Sequence, residues 1–263
     1  MSNWVPATLL AGDEPSPCEL SGEGGASPFV VICDHAGNRL PRALGTLGLS
    51  SAERESHIAW DIGAGAVARH LAARLGAWVA CQRYSRLVID CNRPLEAPDS
   101  IVTSSERTVV PGNQEIGADA AATRAGEIFH PYHARIRDHL DQRQRVDRPA
   151  VLVAVHSFTP TFLGESRPWH IGVLFGRDER LAQPLMRLLR AEGDLSVGCN
   201  EPYVFSELSD YSLVQHGERR GIPHVELEIR QDLIADESGQ RAWAARLTRL
   251  LPLAVHSMLP LLR

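Results

Sequence analysis

Ala150-Val-Leu-Val-Ala-Val155 is an unbroken apolar run that ends on His156 and Ser157. Its length and its β-branched content read as a strand buried on both faces, the kind found where helices cover a sheet on either side. Pro28-Phe-Val-Val-Ile-Cys33 repeats the pattern and opens into the polar stretch Asp34-His-Ala-Gly-Asn-Arg-Leu-Pro41. Trp78–Cys81, Arg86–Asp90 and His170–Phe175 read as further strands. His224–Arg230 reads as a half-buried strand, because charged and apolar residues alternate along it.

Helical stretches separate these runs. Residues 51–75 read as helix in one or two pieces, stopped by Gly76. Residues 119–146 read as a helix interrupted near Pro131, with Asp119 as N-cap. Residues 180–191 and 239–261 complete the set. Strands alternating with helices predict an α/β fold with a sheet that is at least partly parallel. Residues 1–27 read as an irregular arm. Residues 92–118, rich in proline and polar side chains, read as a long loop of the sort that covers sites. No linker or repeat divides the chain, so one domain over 1–263 is expected.

The chain has 263 residues and a net charge of −5, and its 27 basic side chains are all arginine. Without lysine there is no P-loop lysine, no Schiff-base lysine and no Ser-x-x-Lys pair. Fixed cations must be arginines, which suit planar carboxylates. No basic stretch is dense enough for a phosphate backbone, so nucleic acid is not an expected partner. The five cysteines show no Cys-x-x-Cys pattern. The first residues lack a basic n-region, and no run reaches the ~18 apolar residues of a membrane span. The expectation is a reduced, cytoplasmic enzyme of bacterial type, with no membrane partner and a small-molecule substrate.

In open α/β sheets, ligands sit beyond the carboxyl ends of the strands. His35 and His156 stand at two such ends and are the first candidate metal ligands. A catalytic zinc commonly takes two His and one carboxylate, with a fourth position open. Asp61 is the candidate carboxylate, a helix N-cap being its plainer reading, and Asp34 is the alternative. Glu226 and Glu228 share a face of the strand at 224–230, where either could be a general base for a water, or part of a solvated face. Arg86, Asn92 and Arg93 flank one run, as a clamp for an α-carboxylate would; an Arg tied to Asp90 is the plainer reading.

Seven segments, taken together and in order, carry a resemblance. They are Asp34-His-Ala-Gly-Asn…Pro41, Trp60-Asp-Ile-Gly63, Ser85-Arg-Leu-Val-Ile-Asp-Cys-Asn-Arg-Pro94, His130-Pro-Tyr-His133, Val155-His-Ser-Phe158, Asn200-Glu-Pro-Tyr203 and Glu228-Ile-Arg-Gln-Asp232. Over roughly 30–235 the chain resembles the N-formylglutamate amidohydrolase family. The resemblance implies a three-layer α/β/α, zinc-peptidase-like fold with a mixed, largely parallel sheet. It also implies metal-dependent hydrolysis of an N-formyl or other N-acyl amino acid with a free carboxylate, using one Zn2+ per chain. It supports His35 and His156 as ligands, Asn92-Arg93 as carboxylate binders and Glu228 as base, and it adds His133, His216 and Tyr203 as pocket candidates. In one departure, deformylases acting on N-formylglutamate look to carry Ser directly after the first His, where this chain has Ala36.

Three readings compete. Gly63-Ala-Gly-Ala-Val-Ala68 fits a loose nucleotide-binding pattern, although no strand precedes it. A Cys–His amidase would draw on Cys33 or Cys91. A non-catalytic binding protein would keep the fold without a complete site.

Overall fold

In a computed structural model, which describes residues 8–258, seven strands form one sheet. They are β1 (Cys18–Ser21), β2 (Phe29–Cys33), β3 (Trp78–Gln82), β4 (Val151–Phe158), β5 (Ile171–Leu174), β6 (Val197–Cys199) and β7 (His224–Arg230). Their spatial order is β1-β3-β2-β4-β7-β5-β6. Neighbours from β3 to β7 are parallel, as are β5 and β6, while β1 and β5 run against β3 and β7. The sheet is mixed and mostly parallel, as expected.

Strand alternation sorts the core into two faces. Val31, Val153, Val155, Val225, Leu227 and Ile229 pack with α2 (Ala64–Leu75), α5 (Ala182–Ala191) and α7 (Glu237–Met258). On the opposite face Val30, Ile32, Leu152 and Ala154 meet Tyr132, Ile136 and Leu140 of α4 (His130–Arg145) and Leu213 of α6 (Tyr211–His216). Each such side chain fully buried contributes about 1.5–3 kcal/mol. The two remaining helices are α1 (Ser51–Glu55) and α3 (Ala118–Arg124). The result is three layers, helix on sheet on helix.

Several expectations need correction. Arg86–Asp90 is not a strand but a buried run of turns. Side chains replace the sheet ladder there. Ser85 Oγ accepts from Leu87 N at 3.1 Å, Asn113 Nδ2 donates to Leu87 O at 2.8 Å, and Arg124 Nη1 donates to Val88 O at 2.9 Å. Buried backbone groups need partners, and polar side chains from elsewhere in the chain can supply them. β7 is buried on both faces rather than half-buried, because its charged face is covered by the site itself. β4 runs on through His156 to Phe158.

The arm at 1–27 contains β1, paired antiparallel along the edge of β3; its residues 1–7 lie outside the described residues, as do 259–261 of the last helix. The loop at 92–118 holds a hairpin of Ser104–Ser105 with Thr108–Val109. Asp119 is not an N-cap: Gly117 caps α3, and Asp119 sits in its first turn, where a carboxylate suits the helix dipole. The interruption near Pro131 is a π turn, Ala125–Phe129, that leads straight into α4. Proline lacks an amide hydrogen and sits within the first two positions of α4.

Candidate metal centre and cleft

The start of α2 sets the site. Gly63 has φ +81, and a Cβ there would meet the Ile234 carbonyl oxygen at 2.1 Å. At Gly65 a Cβ would come within 2.9 Å of the Cβ and carbonyl oxygen of Ala36. These glycines let the helix seat on the turn that follows β2, and Asp61 N donates to His35 O at 3.0 Å. Asp61 is not the N-cap of α2; Gly63 is. No strand leads directly into Gly63, the residues just before it being turns, so the nucleotide-binding reading fails and the glycines serve packing.

Asp61 Oδ2 is the meeting point. His156 Nδ1 lies 2.8 Å from it and His35 Nδ1 3.3 Å. One ligand atom from each of these three buried residues lies within 4.8 Å of the others. The far ring nitrogens face carboxylates: His35 Nε2 to Asp90 Oδ1 at 2.7 Å, and His156 Nε2 to Asp34 Oδ2 at 3.2 Å. A carboxylate on Nε2 holds the proton there and turns the Nδ1 lone pair inward. Two such lone pairs and a carboxylate oxygen repel unless a proton or a cation stands among them. Two imidazoles, one carboxylate and carboxylates behind the rings form a donor set that fits a divalent ion such as zinc. Asp34, the alternative ligand, instead accepts from His156 Nε2 and from Ser212 Oγ at 2.5 Å.

Charge holds this arrangement. Burial opposes ionisation of Asp61, yet the fields and hydrogen bonds of His35 and His156 keep its carboxyl below the usual range. Burial likewise opposes Asp90, and Arg86 and His35 hold it well below its ordinary value. Arg86 grips Asp90 Oδ2 through Nε at 3.0 Å and Nη2 at 2.6 Å, and its Nη1 lies 3.6 Å from Asp61 Oδ1.

A cleft of about 580 Å³ covers the triad, with Arg86, Arg93, Phe162, Tyr203, Glu226 and Glu228 among its walls. Val102, Ser104, Ser105 and Glu106 of the long loop also line it, as expected of a covering loop. Glu228 pairs in register with His156, and Glu226 with Ala154. Burial pushes Glu228 up to about 7, with His156 opposing, and pushes Glu226 well above the usual carboxyl range. Glu228 Oε2 is buried without a hydrogen-bond partner among the described residues, whereas Glu226 Oε2 receives Asn92 Nδ2 at 3.5 Å.

The clamp residues are partly committed. Asn92 is buried, its Oδ1 taken by Ser212 N at 3.0 Å. Arg93 Nε donates to Asp99 at 2.9 Å, and its Nη1 donates to the carbonyls of Asn92 and Ser209. Its Nη2 has no protein acceptor among the described residues. Tyr203 lines the cleft and accepts from Arg167 Nη1 at 3.1 Å.

His133 and His216 are not brought to the cleft, which corrects their expected place. His133 Nδ1 meets His216 Nε2 at 3.0 Å, and His133 Nε2 donates to Cys91 O at 2.9 Å, tying α4 to α6 behind the site. Burial lowers His133 to about 4 and holds His216 well below its ordinary value, so both rings are neutral hydrogen-bonding groups. Cys33 and Cys91 are fully buried, and burial pushes both thiols well above their usual range, against a thiolate nucleophile. Ala36 faces Gly65 and does not line the cleft.

Sequence reasoning missed Ser212 and Arg167. Ser212 is 178 residues from the carboxylate it holds, and Arg167 directly follows a hairpin of Thr161–Phe162 with Glu165–Ser166 and has no local pattern of its own.

Residues 27–235 match the family described as N-formylglutamate amidohydrolase. A solved gene product of Agrobacterium tumefaciens is 37% identical with a TM-score of 0.92, the match covering 95% of this chain and 99% of that one. The N-formylglutamate amidohydrolase of Ralstonia eutropha JMP134 is 21% identical with a TM-score of 0.67, over 92% and 98% of the two chains, a likeness of fold. No curated protein matches the chain.

Proposed function

The chain belongs to the N-formylglutamate amidohydrolase family, and from that premise we propose that it hydrolyses the amide bond of an N-acyl amino acid with a free α-carboxylate. The observation that carries this reading is the convergence of His35, Asp61 and His156 beside Glu228, whose Oε2 has no hydrogen-bond partner among the described residues.

His35 Nδ1, His156 Nδ1 and Asp61 Oδ2 would hold one divalent ion, which we assign as zinc. When bound, such an ion supplies Lewis acidity toward an amide carbonyl and makes a water more acidic. Asp90 and Asp34 orient the two imidazoles, and Arg86 and Ser212 orient those carboxylates in turn. Glu228 is the general base. Its carboxyl sits near neutrality through burial, the range in which a group both accepts a proton from water and returns it to a leaving amine. Glu226 is held by Asn92 and His156, with its Oε2 3.8 Å from His156 Nε2, and is a positioning group. The free edge of Arg93 suits a single α-carboxylate.

The test is elemental analysis of the purified protein together with hydrolysis of a panel of N-formyl and N-acetyl amino acids. About one divalent ion per chain and metal-dependent release of free amino acid are expected. A metal-loaded protein that hydrolyses no member of the panel would defeat the proposal.

A further inference from the structure

The cleft offers more room and more apolar surface than a formyl group uses. Its volume of about 580 Å³ lies in the range of pockets that take drug-sized ligands. One wall is apolar: Phe158, Phe162, Pro202, Tyr203 and Val204 all line the cleft. Tyr203 is 40% exposed and Val204 79% exposed. Apolar side chains gathered at a concave site yet left open to water mark a place where a ligand supplies the cover.

This wall is held from behind. The guanidinium carbon of Arg167 lies 4.5 Å from the Phe162 ring centroid and 4.9 Å from that of Tyr203, and its Nη1 donates to Tyr203 Oη at 3.1 Å. Arg167 does not itself line the cleft, so it braces the two rings from outside and leaves their other faces to the cleft. A Cβ at Gly172 would meet the Glu201 carbonyl oxygen at 1.7 Å. Glycine there lets the segment carrying Pro202, Tyr203 and Val204 lie against β5.

Strand order sets where along a substrate the wall falls. β2, β4, β7 and β5 are consecutive neighbours in the sheet. His35 follows β2, β4 carries His156, β7 carries Glu228, and the Tyr203 segment packs on β5. Arg93 belongs to the run whose Asp90 stands behind His35, at the β2 end of that row.

We propose that the acyl group of the substrate is bulky and apolar, and that Phe162, Tyr203 and Val204 bind it. The inference rests on the amide-hydrolysis reading and names the acyl half of its substrate. An α-carboxylate on Arg93 and a scissile carbonyl at the triad send the acyl group along the row, past Glu228, onto the apolar wall. A formyl group alone would leave that wall wet.

The experiment uses two pairs of compounds. N-acetyl-L-glutamate and N-phenylacetyl-L-glutamate differ by a ring on the acyl group; N-acetyl-L-alanine and N-acetyl-L-phenylalanine differ by a ring on the side chain. Binding to the zinc-loaded Glu228→Gln protein is read by calorimetry, and hydrolysis is read separately with the unmodified protein. The acyl ring should tighten binding about tenfold or more, as burial of one aromatic group implies, and the side-chain ring less than about threefold. Adding Phe162→Ala or Tyr203→Ala should cut the acyl-ring preference to about threefold or less. Val204→Asp changes a side chain too exposed to hold the fold, and it should lower the preference by setting a charge against the ring. No acyl-ring preference, a preference carried by the side-chain ring instead, an acyl-ring preference unchanged in all three variants, or no binding of any compound would each overturn the proposal. If the N-acetyl compounds are hydrolysed and the acyl ring brings no preference, the amide-hydrolysis reading stands and the apolar subsite falls. If the binding preference holds while no compound is hydrolysed, the amide-hydrolysis reading falls and the apolar subsite stands.

Discussion

Glu228 and His156 are register partners on adjacent parallel strands, so their side chains leave the same face of the sheet side by side. That pairing puts a carboxyl with a free oxygen next to a metal-ligand candidate without any loop to position it. Sites built on strands are held more precisely than sites on loops. Glu226, two residues earlier on the same face, pairs with Ala154 and is bound by Asn92 instead. The sheet therefore separates two carboxylates that strand periodicity alone treats as equal.

Glu228→Gln should lower kcat by about 10²–10⁴-fold, the usual contribution of a general base, with the metal content unchanged. Glu226→Gln should cost much less. Steady-state kinetics and elemental analysis of both variants check this, and the reverse order of effects would make Glu226 the base. A base must be ionised to act, so with Glu228 near 7 the activity should rise as pH increases through about that value. The acidic limb should vanish from the residual activity of Glu228→Gln.

His35→Ala and His156→Ala should each reduce metal content well below one ion per chain, since each removes one of three protein donors. Asp90→Asn keeps the shape but weakens the hold on His35 Nε2, and a partner behind a ligand typically costs about 10–100-fold in metal affinity. Competition with a coloured chelator reads all three. Full occupancy in the His35→Ala, His156→Ala double variant would refute the ligand set.

The two strands that decide the fold were legible because each is an apolar run ending at a polar one, and each delivers a histidine to the site. Asp61 was the first candidate carboxylate, with Asp34 as the alternative; its aim depends on Gly63 and Gly65 seating α2 against Ala36, a contact that no local pattern announces. Arg86–Asp90 was misread because burial on its own looks like a strand; its backbone is satisfied by Asn113 and Arg124, which lie far along the chain. His133 and His216 were expected at the pocket from the family resemblance alone, yet a buried pair can serve as neutral hydrogen-bonding rings. Arg167 carried no signal, since its Tyr203 partner is 36 residues away.

Arg93→Ala should lower kcat/KM for a substrate acid by an amount corresponding to about 2–5 kcal/mol, the range for truncating one partner of a desolvated charge pair. The α-amide of the same compound should change little. Because Arg93 also holds Asp99 and the Ser209 carbonyl, a thermal melt of the variant separates lost binding from a loosened loop. Equal turnover of acid and amide by the unmodified protein would remove the clamp.

The last expectation concerns stability. Burial raises the folded-state pKa of Glu228 to about 7 from an ordinary 4.5. A carboxyl raised in this way binds its proton more tightly when folded. Its contribution is fully present below about 4.5 and is lost as pH climbs through about 7. Above that range the folded protein carries a buried charge with no hydrogen bond on Oε2, at a cost of a few kcal/mol. Glu228→Gln removes that charge and keeps the shape. In protein stripped of metal by a chelator, the variant should melt several degrees above the parent at pH 8. The gap should close as pH falls toward 4.5. The metal-free form is the one to measure, because a bound cation beside His156 would offset the charge and hide the difference. A variant that melts at or below the parent temperature at pH 8 would show that Glu228 is not a destabilising charge in the folded state. The near-neutral pKa that suits it as a base would then have no energetic footing.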